Sequence, residues 1–235
     1  MGLPVLDTPR YQCELPSTGE IVEFRPFLVK EQKLLLMMKD EEEDAGLLEV
    51  IRQLLENVVL SKINIRKLPS FDIEYLFLQI RAKAVGETIN LRFYCTNEEC
   101  DNGTADVSLN INDVKVDRSE EKSNDIKVSE DVGITFKYPN IEILQSVTDD
   151  DMNDRVFAFI RACGDTIYDE ENVYNLSDVE EDELQTFYES LSIEAANKIT
   201  EFFVGMPTLR HTVNYKCTKC GTEGKRTLQG LRAFF

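Results

Sequence analysis

Two pairs of cysteines, Cys95-x4-Cys100 and Cys217-x2-Cys220, constrain this chain more than any other feature. Each pair closes a strand-like run, and each is followed by turn residues that include glycine. A turn at the tip of a hairpin can aim two thiolates at one metal, and Zn2+ takes four such ligands in a tetrahedron. The sharper half is Tyr215-Lys216-Cys217-Thr218-Lys219-Cys220-Gly221, where Gly221 can adopt the left-handed conformation that turns backbone N–H groups toward sulfur. The other half, Phe93-Tyr94-Cys95-Thr96-Asn97-Glu98-Glu99-Cys100-Asp101-Asn102-Gly103, is looser but keeps ligand spacing. Residues 101–216 separate the pairs, so a shared metal would join remote segments.

Other uses of the thiols are open: free cysteines, a disulfide, or a redox dithiol. A thioredoxin-like dithiol sits at a helix N-terminus within a βαβ pattern, whereas Cys217 and Cys220 lie between two short strand-like runs. Cys13 and Cys163 have no nearby partner and read as ordinary thiols. His211, the only histidine, is a possible substitute ligand, although four cysteines already complete a shell. Four protein ligands leave no position for water or substrate, so the expected Zn2+ at Cys95, Cys100, Cys217 and Cys220 is structural, not catalytic.

No enzyme motif accompanies it. There is no G-x-S-x-G elbow and no phosphate-binding G-x-x-x-x-G-K-[ST], and one histidine restricts acid–base chemistry. The N-terminus lacks the basic and apolar regions of a secretory signal, Leu6 stands where N-myristoylation needs Ser or Thr, and no apolar stretch approaches a bilayer span, so a soluble cytosolic product is expected.

The net charge is −18, concentrated at Asp40–Asp44, Asp149–Asp154, Asp169–Glu171 and Asp178–Glu183. Such a field disfavours nucleic acid and favours cationic partners, although carboxylates at helix N-termini are the plainer explanation. Asp149–Asp154 is no calcium loop, because its sixth position is Asp154 and its twelfth Ile160. The end of the chain is the reverse: residues 210–235 carry six basic groups against Glu223, a net +5 that leaves −23 elsewhere. A zinc-ribbon nucleic-acid binder is therefore an alternative supported by the basic end and opposed by the remainder, and a thiol oxidoreductase is a third.

Hydrophobic periodicity supplies the framework. Strands are expected at Tyr11–Leu15 and Ile21–Phe24 around a Gly19 turn, then helices at 29–39, at 45–60 with Leu47, Ile51, Leu54 and Val58 on one stripe, and from Ser70 as N-cap to Val85. Short alternating runs follow at 89–95, 105–111, 126–128 and 133–138. Helices return near Ile141, at 150–163 with Gly164 as stop, after a Ser177/Glu180 capping box, and at 193–203 before Gly205; strands resume at 211–215. The expected fold is α+β, a helical body with a β-rich, zinc-ribbon-like module made by the middle and C-terminal strands. Its segments are an N-terminal hairpin and helices over 1–87, a β-rich segment over 88–138, a helical segment over 139–208, and C-terminal strands over 209–235 packed with 88–138.

The N-terminal motifs add a resemblance. Gly2-Leu3-Pro4, Thr8-Pro9-Arg10-Tyr11, Leu15-Pro16-Ser17-Thr18-Gly19 and Phe24-Arg25-Pro26-Phe27-Leu28-Val29-Lys30-Glu31-Gln32-Lys33 resemble the opening of the baseplate hub proteins of T4-like tailed phages. The resemblance is strongest over the first 35 residues or so. It implies a hub component or hub assembly factor of a contractile-tail baseplate, working in the host cytoplasm during assembly or retained in the virion tail, with other hub proteins as partners. It brings no catalytic residue. Aromatic and arginine side chains carry much of the energy at protein interfaces, which makes Phe24, Arg25, Pro26, Phe27, Arg232, Phe234 and Phe235 the candidate contact residues. Internal packing is the competing use of the same phenylalanines.

Overall fold

A computed structural model describes residues 6–37, 44–146 and 155–234 of the chain. It is a mixed α+β structure whose sheets are all antiparallel, divided into two compact units. Residues 118–207 form the second unit, and the first comprises the chain on both sides of it.

The first unit opens with a hairpin of β1 (Tyr11–Glu14) and β2 (Ile21–Phe24). Its turn closes through Leu15 N–H to the Glu20 carbonyl at 2.9 Å, and Gly19 takes φ +72°, a conformation that glycine adopts without strain. Helices α1 (Val29–Met37), α2 (Asp44–Val58) and α3 (Ser70–Val85) follow. In α2 the stripe of Ile51, Leu54, Leu55 and Val58 is fully buried. Helix α3 buries Ile73, Leu76, Phe77 and Ile80, and also Phe71 and Leu78, so it is covered on more than one face as a central helix must be. Ser70 is the first helical residue and not the cap: Pro69 occupies the cap position without a side-chain bond.

Two hairpins complete this unit. Strands β3 (Thr88–Tyr94) and β4 (Thr104–Asn110) pair in register from Thr88↔Asn110 to Tyr94↔Thr104. After β5 (Lys115–Asp117) the chain leaves for the second unit, and it returns as β10 (Thr208–Lys216), which pairs with β5 on one side and with β11 (Glu223–Gln229) on the other. A closing 3-10 turn, Leu231–Phe234, lies against α3.

The second unit holds a four-stranded sheet in the order β6 (Asp125–Lys127), β7 (Gly133–Phe136), β8 (Gly164–Tyr168), β9 (Val173–Asn175), with helices α4 (Ile141–Ser146), α5 (Arg155–Cys163), α6 (Glu181–Glu189) and α7 (Ile193–Val204). Phe136, Phe202 and Phe203 meet at its centre, the Phe136 ring 5.3 Å edge-on from Phe203 and 5.7 Å from Phe202. Residues 88–138, expected as one β-rich segment, are thus shared: β3 to β5 belong to the first unit and β6 and β7 to the second.

Local differences from expectation have local causes. Gly164 does stop α5, but it also opens β8 with no intervening loop; a Cβ there would lie 2.5 Å from the Ile160 carbonyl oxygen. The Ser177/Glu180 capping box does not form. Residues Leu176–Asp178 wind into a 3-10 turn, and Glu180 caps α6 without a side-chain bond. The working cap is on the next helix, where the Ser192 hydroxyl accepts from Ala195 N–H at 3.1 Å. The acidic run Asp178–Glu183 places Glu181, Asp182 and Glu183 in the first turn of α6, where the helix dipole favours them. Asp169 instead makes a turn between β8 and β9, accepting from the N–H groups of Glu171 at 2.8 Å and Asn172 at 2.7 Å, which holds its carboxyl below the usual range. Asp40 to Glu43 and Asp149–Asp154 lie outside the described residues.

Candidate metal centre

The hairpin β3–β4 carries the first cysteine pair in its connecting loop, and β10–β11 carries the second. Register brings them together. Cys95 N–H donates to the Gly103 carbonyl at 2.8 Å and Cys217 N–H to the Thr222 carbonyl at 2.9 Å, so each ladder runs up to its first cysteine before the turn begins. The second turn is then tied to the first hairpin: Thr218 donates both its N–H and its hydroxyl to the Thr104 carbonyl, each at 2.9 Å, and Lys219 Nζ donates to the Asp101 carbonyl at 2.7 Å. Below the turns the Phe93 and Tyr215 rings pack with centroids 5.9 Å apart, and the Tyr215 hydroxyl donates to Thr96 Oγ1 at 3.2 Å.

The outcome is a cluster of four thiols whose Sγ atoms all lie within 4.8 Å of one another. Contacts cross between the pairs, Cys95 to Cys220 at 3.6 Å and Cys100 to Cys217 at 3.8 Å. Four sulfurs at about 2.3 Å from a tetrahedral Zn2+ would stand roughly 3.8 Å apart, so the spacing fits that ion. No pair is bonded; all six cysteines are free. His211 sits opposite Leu228 on the β10–β11 ladder and is not a member of the cluster.

Two further observations test the fit. Gly103 lies directly against the cluster: a Cβ there would stand 2.8 Å from Cys217 Sγ and closer still to Cys100 Sγ. Only the absence of a side chain lets the loop close over the sulfurs. Electrostatics divides the thiols. Cys220 is lowered to about 6 because the Thr222 hydroxyl, 3.1 Å away, and the Thr222 backbone favour its thiolate. Cys217 is lowered by backbone groups of Cys220 and Lys219, whereas Cys100 is pushed up to about 12 by the adjacent Cys220 sulfur and by burial. Cys95 is raised overall: the Asn97 N–H at 3.4 Å favours its thiolate, but desolvation and the Cys220 and Cys217 sulfurs outweigh it. Like charges this close cannot all ionise alone, and a divalent cation is the group that would let four thiolates coexist. Gly221, at φ +74°, makes the tight turn the second pair needs.

The proposed contact residues fall elsewhere. Phe24 and Phe234 are 1% and 0% exposed, and Phe27 packs its ring 5.4 Å from that of Phe77. Side chains so enclosed offer no surface to a partner. Arg25 is likewise engaged inside the unit, donating to the Pro26 carbonyl at 3.1 Å, the Asn57 carbonyl at 3.0 Å and Glu31 Oε1 at 2.9 Å. Glu31, 2% exposed, also accepts from Leu28 N–H at 2.9 Å, so the motif from Phe24 to Glu31 clasps the hairpin to α1 and α2. Among the contact candidates Arg232 is exposed, and Phe235 lies outside the described residues. Sequence reasoning missed a buried clamp of the same kind: Asp72, 0% exposed, accepts from both the N–H and the hydroxyl of Ser17 in the first turn. A carboxylate in the first turn of an apolar helix was its only signal.

Among the described residues no helix is long and apolar enough to cross a membrane. The sequence model of a family described as T4 bacteriophage base plate protein matches residues 8–235, nearly the whole chain. No curated protein and no solved structure matches it. The chain belongs to the T4 bacteriophage base plate protein family.

Proposed function

We propose that this phage tail baseplate protein serves the hub of a contractile tail, through contacts with other hub proteins, and that one structural Zn2+ held by Cys95, Cys100, Cys217 and Cys220 stabilises it. The observation that carries the metal is the convergence of four Sγ atoms within 4.8 Å from two hairpins far apart in sequence. When bound, the ion supplies charge neutralisation and a cross-link; with four protein ligands it has no open position for chemistry. Gly103 and Gly221 shape the turns, and Thr218 and Lys219 hold them together. The β-rich part of the first unit is then a zinc-ribbon-like module. The hub role rests on the family match together with the N-terminal motifs from Leu15 to Lys33. Assembly in the host cytoplasm and a place in the finished tail follow from that role.

Zinc content per chain, on protein purified without added metal, tests the centre. About one zinc per chain, lost in Cys217→Ser/Cys220→Ser together with amide protection in β3, β4, β10 and β11, is expected; a well-folded, zinc-free wild type overturns it. For the hub role, phage deleted for this chain are expected to accumulate tail precursors that lack a completed hub. Normal hubs in the deletion would remove that assignment.

A further inference from the structure

Strand β11 is an edge, and its outward backbone can be identified. Cys217 N–H donates to Thr222 O at one end of the β10–β11 ladder, and Gly230 N–H donates to Leu209 O, at 3.0 Å, at the other. Antiparallel alternation between these ends turns Gly224, Arg226 and Leu228 toward β10. It leaves the N–H and C=O of Glu223, Lys225, Thr227 and Gln229 on the open side. All four residues are exposed, and β11 is at the end of the strand order β11-β10-β5. The strand runs seven residues, about 20 Å at 3.4 Å per residue, with no proline and no shift of register. Natural edges are shortened, bulged, covered or charged, because such a row of donors and acceptors is a template for another strand; of these devices β11 carries only charge, at Glu223, Lys225 and Arg226.

We infer that β11 is a docking strand, which takes an extended acidic segment of another protein as a fourth strand on the β11-β10-β5 sheet. The inference goes beyond the hub reading and does not depend on it. Alternating donors and acceptors along an edge are matched by a polypeptide in extended form. Charge selects its composition. Lys225 and Arg226 project to opposite faces of the strand, and neither has an ion-pair partner among the described residues. Arg226 rests over the Phe93 ring at 5.8 Å, a contact that leaves its charge unneutralised. The one acid of the strand, Glu223, is already neutralised by Lys216 at 3.0 Å. A carboxylate on either face of an incoming strand therefore meets a cation that no acid among the described residues holds. A second copy of this chain fits worse: antiparallel self-pairing about Arg226 would oppose like charges, and each copy brings a net −18. Strands β3 and β4, of equal length and both at ends of their two-stranded sheet, lack the selecting charge, since Asp106 of β4 holds Arg92 of β3 at 2.7 Å.

The test uses the full chain and a capped octapeptide alternating Glu and Val, with a Lys–Val octapeptide as control. Binding of the Glu–Val peptide is expected to slow amide exchange at Lys225, Thr227 and Gln229 at least tenfold, in a salt-sensitive way. Thr227→Pro removes one outward donor at a place where an edge strand accepts proline, and is expected to weaken binding at least tenfold. Lys225→Glu/Arg226→Glu keeps the backbone and should do the same, which decides the matter if the proline variant fails to fold. Absence of Glu–Val binding, equal binding of Lys–Val, or wild-type binding by both folded variants overturns the inference. Protection of the same amides that grows with protein concentration and needs no peptide overturns the acidic segment in favour of a second copy.

Discussion

Gly103→Ala is the sharpest test of the metal centre, because it adds one methyl group where the structure leaves no room. A Cβ there would lie 2.8 Å from Cys217 Sγ and 3.1 Å from Cys95 Cβ, with Cys100 Sγ nearer still. Comfortable contact between such atoms begins at about 3.5 Å, so sulfur or loop must yield by roughly 1 Å. The loop cannot swing away freely, since the Gly103 carbonyl accepts from Cys95 N–H and its own N–H faces the Cys100 carbonyl at 3.5 Å. Metal–ligand distances tolerate only about 0.2 Å. The displacement should therefore fall on a ligand, and overpacking of this kind costs about 1–3 kcal/mol. Since about 1.4 kcal/mol is tenfold in an equilibrium constant, zinc affinity should fall roughly 5- to 150-fold in competition with a chromophoric chelator. Gly230→Ala is the control: its φ of +70° makes the change straining, but nothing lies within 4 Å of the added carbon and the residue is outside the cluster. It should lower stability and leave the chelator curve unmoved. A Gly103→Ala curve that overlays the wild type would refute the steric reasoning.

Three further outcomes are expected. Arg25→Met strands the enclosed Glu31 carboxylate, and breaking a buried pair on one side costs roughly 3–5 kcal/mol, measurable by urea unfolding. The pH dependence of that variant should flatten. In the wild type, burial raises the Glu31 carboxyl, but Arg25 and the Leu28 N–H outweigh it and hold it below its ordinary value. That stability is complete above the unfolded carboxyl value of about 4.3 and is lost as pH falls through the lower folded value. With Arg25 gone, only the Leu28 N–H and Lys30 oppose burial, so the folded value should rise toward the unfolded one and the loss of stability on acidification should shrink; Arg25→Met/Glu31→Gln, lacking the carboxyl, should show no such loss. Lastly, Ser17→Ala removes the hydroxyl donor from fully buried Asp72 and should cost about 1–3 kcal/mol in thermal or urea unfolding, whereas Thr18→Ala, at an exposed hydroxyl that accepts only from Glu20 N–H, should cost less.

The cysteine cluster was legible because ligand-type residues leave marks that survive without coordinates: cysteine type, spacing and an adjacent glycine. Strands β3 and β4 and helices α2 and α3 were legible for a similar reason, since Ile51, Leu54 and Val58 or Phe77 and Ile80 repeat at the helical period over a long window. Strands β8 and β9 were not. Gly164-Asp165-Thr166-Ile167-Tyr168 follows α5 without a loop, and Val173–Asn175 is exposed at every position, so neither shows a bounded alternating run. Contacts between remote polar groups were hidden for a different reason. Nothing local to Ser17 announces Asp72, and nothing local to Arg25 announces the Asn57 carbonyl. The motif from Phe24 to Glu31 was visible as a pattern, but whether its aromatic residues face a partner or the core depends on α2 and α3 packing over them.

The placement of the cysteine cluster also bears on how the divided first unit closes. Cys100 and Cys217 are 117 positions apart, and the whole second unit lies between them. The pairing of Asp117 with Thr208 already brings the two ends of that excursion side by side, helped by Arg210 and Asp117 at 3.1 Å. Once it forms, the path from cysteine to cysteine shortens to roughly 26 residues, and closing that loop costs about 1.3 kcal/mol less than closing the full length. With the proposed metal bound, the two cross-links would be cooperative: the short β5–β10 pairing should favour metal binding by about tenfold, and the metal in turn should favour the pairing by the same factor. Neither three paired residues nor two pairs of thiols would be a strong constraint alone. Together, with the proposed metal bound, they would hold the hairpin that carries the exposed β11 edge while the 90 residues of the second unit leave and return between β5 and β10.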